Sequence, residues 1–301
     1  MSDSATLPCV LVRPVDVVVP VHDAREHVLA CVASVLRHAR GDFRLVLVDD
    51  ASEDPSLVSW LDEQAARSER VQLLRNDVNR GFVASANRGL RNAGGRDVVL
   101  LNSDTIVTRG FLQKLAECAY ASDDTGIVSP FTNNGTICSI PRFLEANEIP
   151  ASFTVDEFAA LVARASRRRR PELVTAVGFC MYVRADVIAR IGFLDEENFP
   201  RGYGEENDYS ERAKQAGYRI RLCDDLFVAH VGRASFGDEG DTREDAHNAV
   251  MDRMHPTYHA DVQRFIRENP LAEAQADVLA LLAARRLGPI ARLRRFFGEA
   301  R

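Results

Sequence analysis

The chain has 301 residues, 46% of them hydrophobic and 27% charged, which is enough apolar material for one large or two small cores and too much for a disordered protein. Its formal net charge is -6, and Lys and Arg are scattered except at residues 167–170 and near the C-terminus, so bulk attraction to nucleic acid is excluded. No signal-peptide pattern and no apolar run near the roughly 20 residues that span a bilayer is present, and the six cysteines (Cys9, Cys31, Cys118, Cys138, Cys180, Cys223) include no C-x-x-C pair; the expectation is a cytoplasmic protein with reduced, mostly buried thiols.

From residue 15 to 101, short β-branched runs alternate with amphipathic stretches of helical length, the pattern of βαβ units that build a parallel sheet. Strands are expected at 15–21 (VDVVVPV), 43–49 (FRLVLVD), 71–75 (VQLLR) and 97–102 (DVVLLN). Helices are expected at 24–39, where Val28, Cys31, Val32, Val35, Leu36 and Ala39 share one stripe, and at 55–67 and 82–93. Strands of a doubly wound sheet deliver ligand-binding residues just beyond their C-terminal ends. His22 with Asp23, Asp49 with Asp50, residues 79–81 and residues 102–105 all stand at such places, so they converge on one crevice.

The second half is less regular. A helix is expected at 110–120, a strand at 126–129 and a polar loop, FTNNGTICSIP, at 131–141; loops of this kind often hold function. A helix at 155–165, a basic RRRRP turn, an apolar run LVTAVGFCMYVR at 173–184 and a helix opening near Ala185 follow. Beyond Gly237 the chain turns helical and charged, ending at 276–297 with Leu, Ile and Phe alternating with Arg.

Four places carry candidate chemistry. Asp104 in LLNSDT emerges directly after a strand, where a carboxylate suits a hard cation that takes one or two protein carboxylates; the plain alternative is a turn with Asp104 capping the next helix. GYGEENDYSERAKQAGY gathers Glu205, Glu206, Asp208 and Glu211 at a helix start, where the helix dipole alone would favour acids, behind a glycine-rich lead-in that lets backbone approach a ligand. His230, in LFVAHVGRASFG, is either a satisfied structural histidine or a ligand beside a polar loop able to fold over phosphates. In LVLVDDASED, Asp49 and Asp50 are turn acids or acceptors for the N3–H of a pyrimidine base, and in NDVNRGFVASANRGL, Arg80 and Asn87 flank a helix start that suits a diphosphate.

Taken in order, VVVPVHD, LVLVDDASED, NRGFVASANRGL, VVLLNSDTIV, VGFCMYVRADVIARIGFLDE, GYGEENDYSERAKQAGY and AHVGRASFG resemble the family 2 glycosyltransferases, and most of all a bacterial branch that includes rhamnosyltransferases. The resemblance spans residues 15–237 and implies an α/β GT-A fold, a Rossmann-like, mostly parallel central sheet flanked by helices. A tail at 1–14, a nucleotide-binding half at 15–105, an acceptor and catalytic half at 106–237 and a helical extension at 238–301 complete the expected organisation.

Carried across by position, the resemblance places Pro20, Val21, His22 and Asp23 along the nucleotide pocket, Asp50 on the base and Arg80 near the diphosphate, with Asn87, Asn102 and Ser103 in the same nucleotide set. Asp104 takes the last position of the D-x-D element that holds Mg2+ or Mn2+; Asn102 replaces its first acid. Glu205 and Glu206 stand where the family shows Glu-Asp, with Glu206 as general base; Asp208 matches a further acid and His230 a residue that helps hold metal or diphosphate. The implied reaction is an inverting transfer from a nucleotide sugar (dTDP-rhamnose, UDP-sugar or GDP-sugar, in that order) to a saccharide or lipid-linked saccharide in cell-surface polysaccharide synthesis, the alternative being a catalytically inactive subunit that binds the donor. A dinucleotide oxidoreductase lacks its G-x-G-x-x-G here, and a sugar-phosphate nucleotidyltransferase lacks its glycine-rich loop. Arg285, Arg286, Arg292, Arg294 and Arg295, interleaved with Leu287, Ile290, Leu293, Phe296 and Phe297, suit either packing on the catalytic domain or a homodimer partner, or peripheral contact with an anionic membrane.

Overall fold

Strands β1 (Val15–Val21), β2 (Phe43–Asp49), β3 (Val71–Arg75) and β4 (Asp97–Leu101) run parallel in the order β3-β2-β1-β4 in the computed structural model, which describes residues 13–200, 202–232 and 248–286. Parallel neighbours need crossovers, and α1 (Arg25–His38), α2 (Pro55–Arg67) and α3 (Phe82–Asn92) supply them, each covering the sheet with its apolar stripe. Helix α1 buries Val28, Cys31, Val32 and Val35, as its spacing requires.

Beyond β4 come β5 (Thr105–Ile106), α4 (Phe111–Ala119), β6 (Thr125–Phe131), α5 (Val155–Ala165), β7 (Glu172–Leu173), β8 (Cys180–Val183), α6 (Ala185–Ile191), α7 (Glu205–Gln215), β9 (Arg219–Phe227) and β10 (Ala229–His230). A helical stretch over 248–254 (α8), α9 (Tyr258–Glu268) and α10 (Ala272–Arg286) follow. The main sheet reads β3-β2-β1-β4-β8-β6-β9-β7, with β8 antiparallel to β4 and β6. β5 and β10 form a separate antiparallel pair. The apolar run at 173–184 is thus not one element: it closes β7, leaves the sheet over 174–179 and re-enters as β8.

The acids at the N-terminal ends of the strands are locked. Asp16, fully buried, accepts from Arg44 at 2.8 Å and Arg96 at 2.7 Å, and Asp97 accepts from Tyr182 at 2.6 Å, Tyr120 at 2.9 Å and the Ala185 N–H at 2.8 Å. Buried carboxylates paired in this way are structural.

The basic run at 167–170 lies at the surface and is tied to neighbouring acids. Arg169 pairs with Glu273 at 3.1 Å and Asp277 at 2.8 Å, Arg168 with Asp225 at 3.1 Å, and Asp224 accepts the main-chain N–H of Arg169 and Arg170. Phe265, Leu271, Ala274, Val278 and Leu282 join the same buried core as β1, so the described part of the helical extension packs on the sheet domain. Arg292, Arg294, Arg295, Leu287, Ile290, Leu293, Phe296 and Phe297 lie outside the described residues, as does Cys9. The other five cysteines are free and buried, and no helix among the described residues is long and apolar enough to cross a membrane.

Helix α3 meets β1 at Gly89, where an added Cβ would stand 2.1 Å from a Val18 methyl. Gly89→Ala overpacks this contact and should cost about 1–3 kcal/mol, read as a lower urea midpoint at unchanged m-value. A wild-type midpoint would mean that α3 can lift from the sheet at no cost.

Candidate active site

The loops after β1, β2 and β3 are knitted into one floor. Pro20 and Val21 are buried at the end of β1, and the chain then turns through left-handed Asp23 (φ 49) and Ala24 (φ 52) into α1. The Asp23 carboxylate accepts the N–H groups of Glu53 at 2.8 Å and Asp54 at 3.1 Å. His22 is exposed, with Nδ1 3.1 Å from the Asp50 carbonyl and Nε2 3.0 Å from the Asn79 amide nitrogen. A carbonyl only accepts and an amide NH2 only donates, so Nδ1 carries the proton.

Asp50, 4% exposed, accepts from Asn76 Nδ2 at 2.7 Å, from the Arg80 N–H at 2.8 Å and from the Gly81 N–H at 2.8 Å. The helix start that the sequence offers to a diphosphate therefore already holds an anion, the chain's own Asp50 carboxylate at the N-terminus of α3. Three of the roughly four lone-pair sites of that carboxylate are engaged, which leaves one for a ligand donor. The Arg80 side chain is exposed beside this floor. Asn87 is placed differently from the sequence expectation: it is fully buried, donates to Leu194 O and Glu196 Oε1 and accepts the Leu194 N–H, so both of its amide donors are used in tying α3 to the loop after α6 and its oxygen is shut away from solvent.

Beyond β4, Asn102 donates its N–H to Phe179 O at 2.9 Å, and its side-chain Oδ1 is buried without a hydrogen-bond partner. Ser103 is buried beside it. Asp104 caps no helix, since β5 follows it and α4 starts after Gly110. The β5–β10 register sets Thr105 opposite His230, and this carries the histidine to the acid. Asp104 Oδ1 lies 3.4 Å from His230 Nε2, while Oδ2 accepts the Gly232 N–H at 3.0 Å. Burial raises the Asp104 pKa, but the bond and charge of His230 together with the Gly232 N–H outweigh it, and the net direction is down.

The other ring nitrogen of His230 fixes what Nε2 can be. Nδ1 is 2.5 Å from the Asn134 carbonyl, which can only accept, so Nδ1 holds a proton and Nε2 is the nitrogen that faces the carboxylate, a donor to it when the ring is an imidazolium and a ligand lone pair when the ring is neutral. The position between Nε2 and Oδ1 takes positive charge, either the Nε2 proton or a cation in its place. Among the described residues no three His, Cys, Asp or Glu gather as a metal cage, so Asp104 and His230 form a two-residue donor set. That set fits a hard divalent cation that fills its remaining positions with phosphate oxygens and water.

Helix α7 opens after Gly202 (φ 94), Tyr203 (φ 66) and Gly204 (φ 114), three left-handed residues in succession. Glu205 is 5% exposed with Oε2 buried and unpartnered; burial, then the neighbouring Glu206 charge, push its pKa well up. Glu206 is also raised by burial, accepts the Gly204 N–H at 3.3 Å and lies against Gly178. Asp208 is two residues on, about 200° around the helix, and so points the other way. It is fully buried and accepts from Arg212 Nε and pairs with His255 Nε2, both at 2.8 Å, which makes it an anchor for the α6–α7 connection and the C-terminal helices where sequence placed a catalytic acid.

Sequence reasoning did not single out Phe179, whose ring stacks on His230 at 5.3 Å and 21°, nor Asn133, Asn134 and His255. The only signal for the asparagines was that their loop is polar.

A model of the family described as glycosyl transferase family 2 matches residues 16–192, more than half of the chain. The match stops before α7, so it includes Asp104 but neither glutamate nor His230. An N-acetylglucosaminyltransferase of Azorhizobium caulinodans is 24% identical over 224 residues, covering 72% of this chain and 54% of that protein. A putative teichuronic acid biosynthesis glycosyltransferase of Bacillus subtilis is 28% identical over 149 residues, 48% of this chain and 56% of that protein. The chain thus spans little more than half the length of these curated relatives. A mannosyltransferase from Pyrobaculum calidifontis, solved in complex with GDP-Man and Mn2+, superposes with a TM-score of 0.58 at 19% identity over 96% of this chain and 81% of that chain, and the shared fold is GT-A-like.

The glutamate pair makes a pH-dependent contribution to stability. A carboxyl whose pKa is raised by folding stabilises the folded state while protonated, and the contribution is lost as pH rises through the folded-state pKa. Glu205→Gln, neutral at every pH, should match the wild-type thermal midpoint in acid and exceed it at mildly alkaline pH. Parallel midpoint curves for the two proteins would show that Glu205 ionises as an ordinary surface glutamate does.

Proposed function

The chain belongs to glycosyl transferase family 2, and from that premise we propose that it moves a sugar from a nucleoside diphosphate donor to a saccharide hydroxyl, with inversion at the anomeric carbon. The observation that carries the reading is the Asp104 carboxylate facing His230 Nε2 at 3.4 Å, just past the C-terminal end of β4. A bound Mg2+ or Mn2+ supplies there the positive charge that offsets the departing nucleoside diphosphate.

The chain's own groups perform the remaining steps. The free lone pair of Asp50 accepts from the base, next to the exposed ring of His22, with Asp23, Pro20 and Val21 shaping the pocket behind them. Arg80 reaches the diphosphate. The unpartnered Asn102 Oδ1 and the Ser103 hydroxyl meet the donor beside Asp104. Glu206 removes the acceptor proton, and Glu205, holding its own proton, keeps the charge at the α7 start to one carboxylate. The donors in order of preference are dTDP-rhamnose, UDP-sugars and GDP-sugars. The acceptor is a cell-surface polysaccharide precursor, free or lipid-linked, at the cytoplasmic face of a membrane; the teichuronic acid enzyme among the relatives supports that setting.

Asp104→Ala should abolish the Mn2+-dependent part of the thermal stabilisation by nucleotide sugars, because a ligand that binds only the folded state raises apparent stability. Retention of that increment would overturn the metal assignment. Glu206→Gln should keep donor binding while turnover falls by about 10² to 10⁴. If Glu205→Gln is the inactive variant instead, the base is Glu205. Because the Glu206 pKa is raised and the base must be ionised, turnover should fall on the acid side at a higher pH than an ordinary glutamate would give.

A further inference from the structure

His230 sits in a short strap, residues 229–232, that crosses Asp104, and the strap has little ladder to hold it. β10 and β5 are two residues each and pair only at Ala229 with Ile106 and His230 with Thr105. Side chains from the loop after β6 complete the grip. Asn133 brackets His230: its Oδ1 accepts the His230 N–H at 2.9 Å and its Nδ2 donates to the His230 carbonyl at 2.9 Å. These are the two bonds an adjacent strand residue would exchange with a hydrogen-bonded partner, made here by one amide. Asn134 adds a donor to the Val231 carbonyl at 3.1 Å, and its own carbonyl takes the His230 Nδ1–H.

The bracket is itself held from behind. Asn147, 6% exposed, donates its N–H to the Asn133 carbonyl at 2.8 Å, and its Nδ2 reaches the Arg142 and Glu145 carbonyls at 2.9 and 2.8 Å. Asn133 Nδ2 returns a bond to the Asn147 carbonyl at 3.2 Å. At the far end of the strap Gly232 has φ 72, and a Cβ there would stand 2.1 Å from Asn134 Nδ2, so the strap lies hard against this loop. The strap itself touches Asp104, through the Val231 N–H to its carbonyl at 3.1 Å and the Gly232 N–H to its Oδ2 at 3.0 Å, whereas the hydrogen bonds of Asn133 and Asn147 go to the strap and the loop and not to the acid.

We infer that Asn133, backed by Asn147, is a positioning residue for His230: its amide fixes the main chain from which the imidazole reaches Asp104, the Asn134 carbonyl and Phe179 then setting the ring's rotation, and it thereby sets the affinity of the site for a divalent cation. The inference rests on the reading of Asp104 and His230 as cation ligands. Groups that orient metal-binding histidines from behind are commonly worth 10- to 100-fold in affinity.

Mn2+ alone, titrated into the full chain and followed by water-proton relaxation, tests it. Asn133→Ala should weaken Mn2+ binding by about tenfold or more while the protein stays folded by far-UV circular dichroism. A variant that melts earlier yet binds Mn2+ as wild type does would show a merely structural role and overturn the inference. If Asn133→Ala does not fold, Asn133→Asp decides: it keeps the acceptor for the His230 N–H and loses the donor to the His230 carbonyl, so Mn2+ binding should weaken severalfold although an added negative charge would by itself tighten it, and wild-type or tighter binding would overturn the inference. His230→Ala separates the two levels. Loss of Mn2+ binding in His230→Ala with wild-type binding in Asn133→Ala defeats this inference only, whereas wild-type binding in His230→Ala defeats the cation site itself.

Discussion

The fixed approach of His230 to Asp104 is the constraint around which the site is arranged. With the Nδ1 proton of His230 committed to a main-chain carbonyl, Nε2 is what faces Asp104 across 3.4 Å, and that position takes either a proton or a cation. Gly232 and the two-residue ladder fix the acid while Phe179 stacks on the ring, so the geometry is set by the fold and not by the group that occupies the gap. Local order holds the pair in place, as in other preorganised sites.

The sheet separates its carboxylates by which end they occupy. At the N-terminal ends, Asp16 and Asp97 are saturated by arginine, tyrosine and main-chain donors. At the opposite end three acids keep something in reserve: Asp50 one lone pair, Asp104 an oxygen met only by His230 Nε2, Glu205 an unpartnered oxygen. Stability is drawn from one edge and reactivity is left on the other.

Strands β1 to β3 were legible to the residue, because apolar β-branched runs bounded by turn residues carry their own limits. β4 reads one residue long, since Asn102 has left the ladder and bonds to Phe179 instead. The location of Asp104 past the end of β4 was legible from its position after an apolar strand, and what depends on a distant partner was not. Asn87 looks like a nucleotide contact until Leu194 and Glu196, more than a hundred residues away, are seen to consume its amide. Asp208 looks catalytic until His255 is placed against it. Residue type states how many hydrogen bonds a group can make and never with whom, and for the same reason the asparagine bracket at 133 could not be read in advance.

Strand β8 has a consequence for how such a crevice is filled. A parallel strand hands over its last residues at the ligand edge, whereas a reversed one hands over its first, and β8 is reversed. Gly178 and Phe179, just ahead of it, are therefore delivered between the Asp104–His230 pair and Glu206 without a crossover helix. A single inverted strand lets the two halves of the proposed reaction, departure of the leaving group and activation of the acceptor, share one wall whose position is set by the sheet and not by a loop.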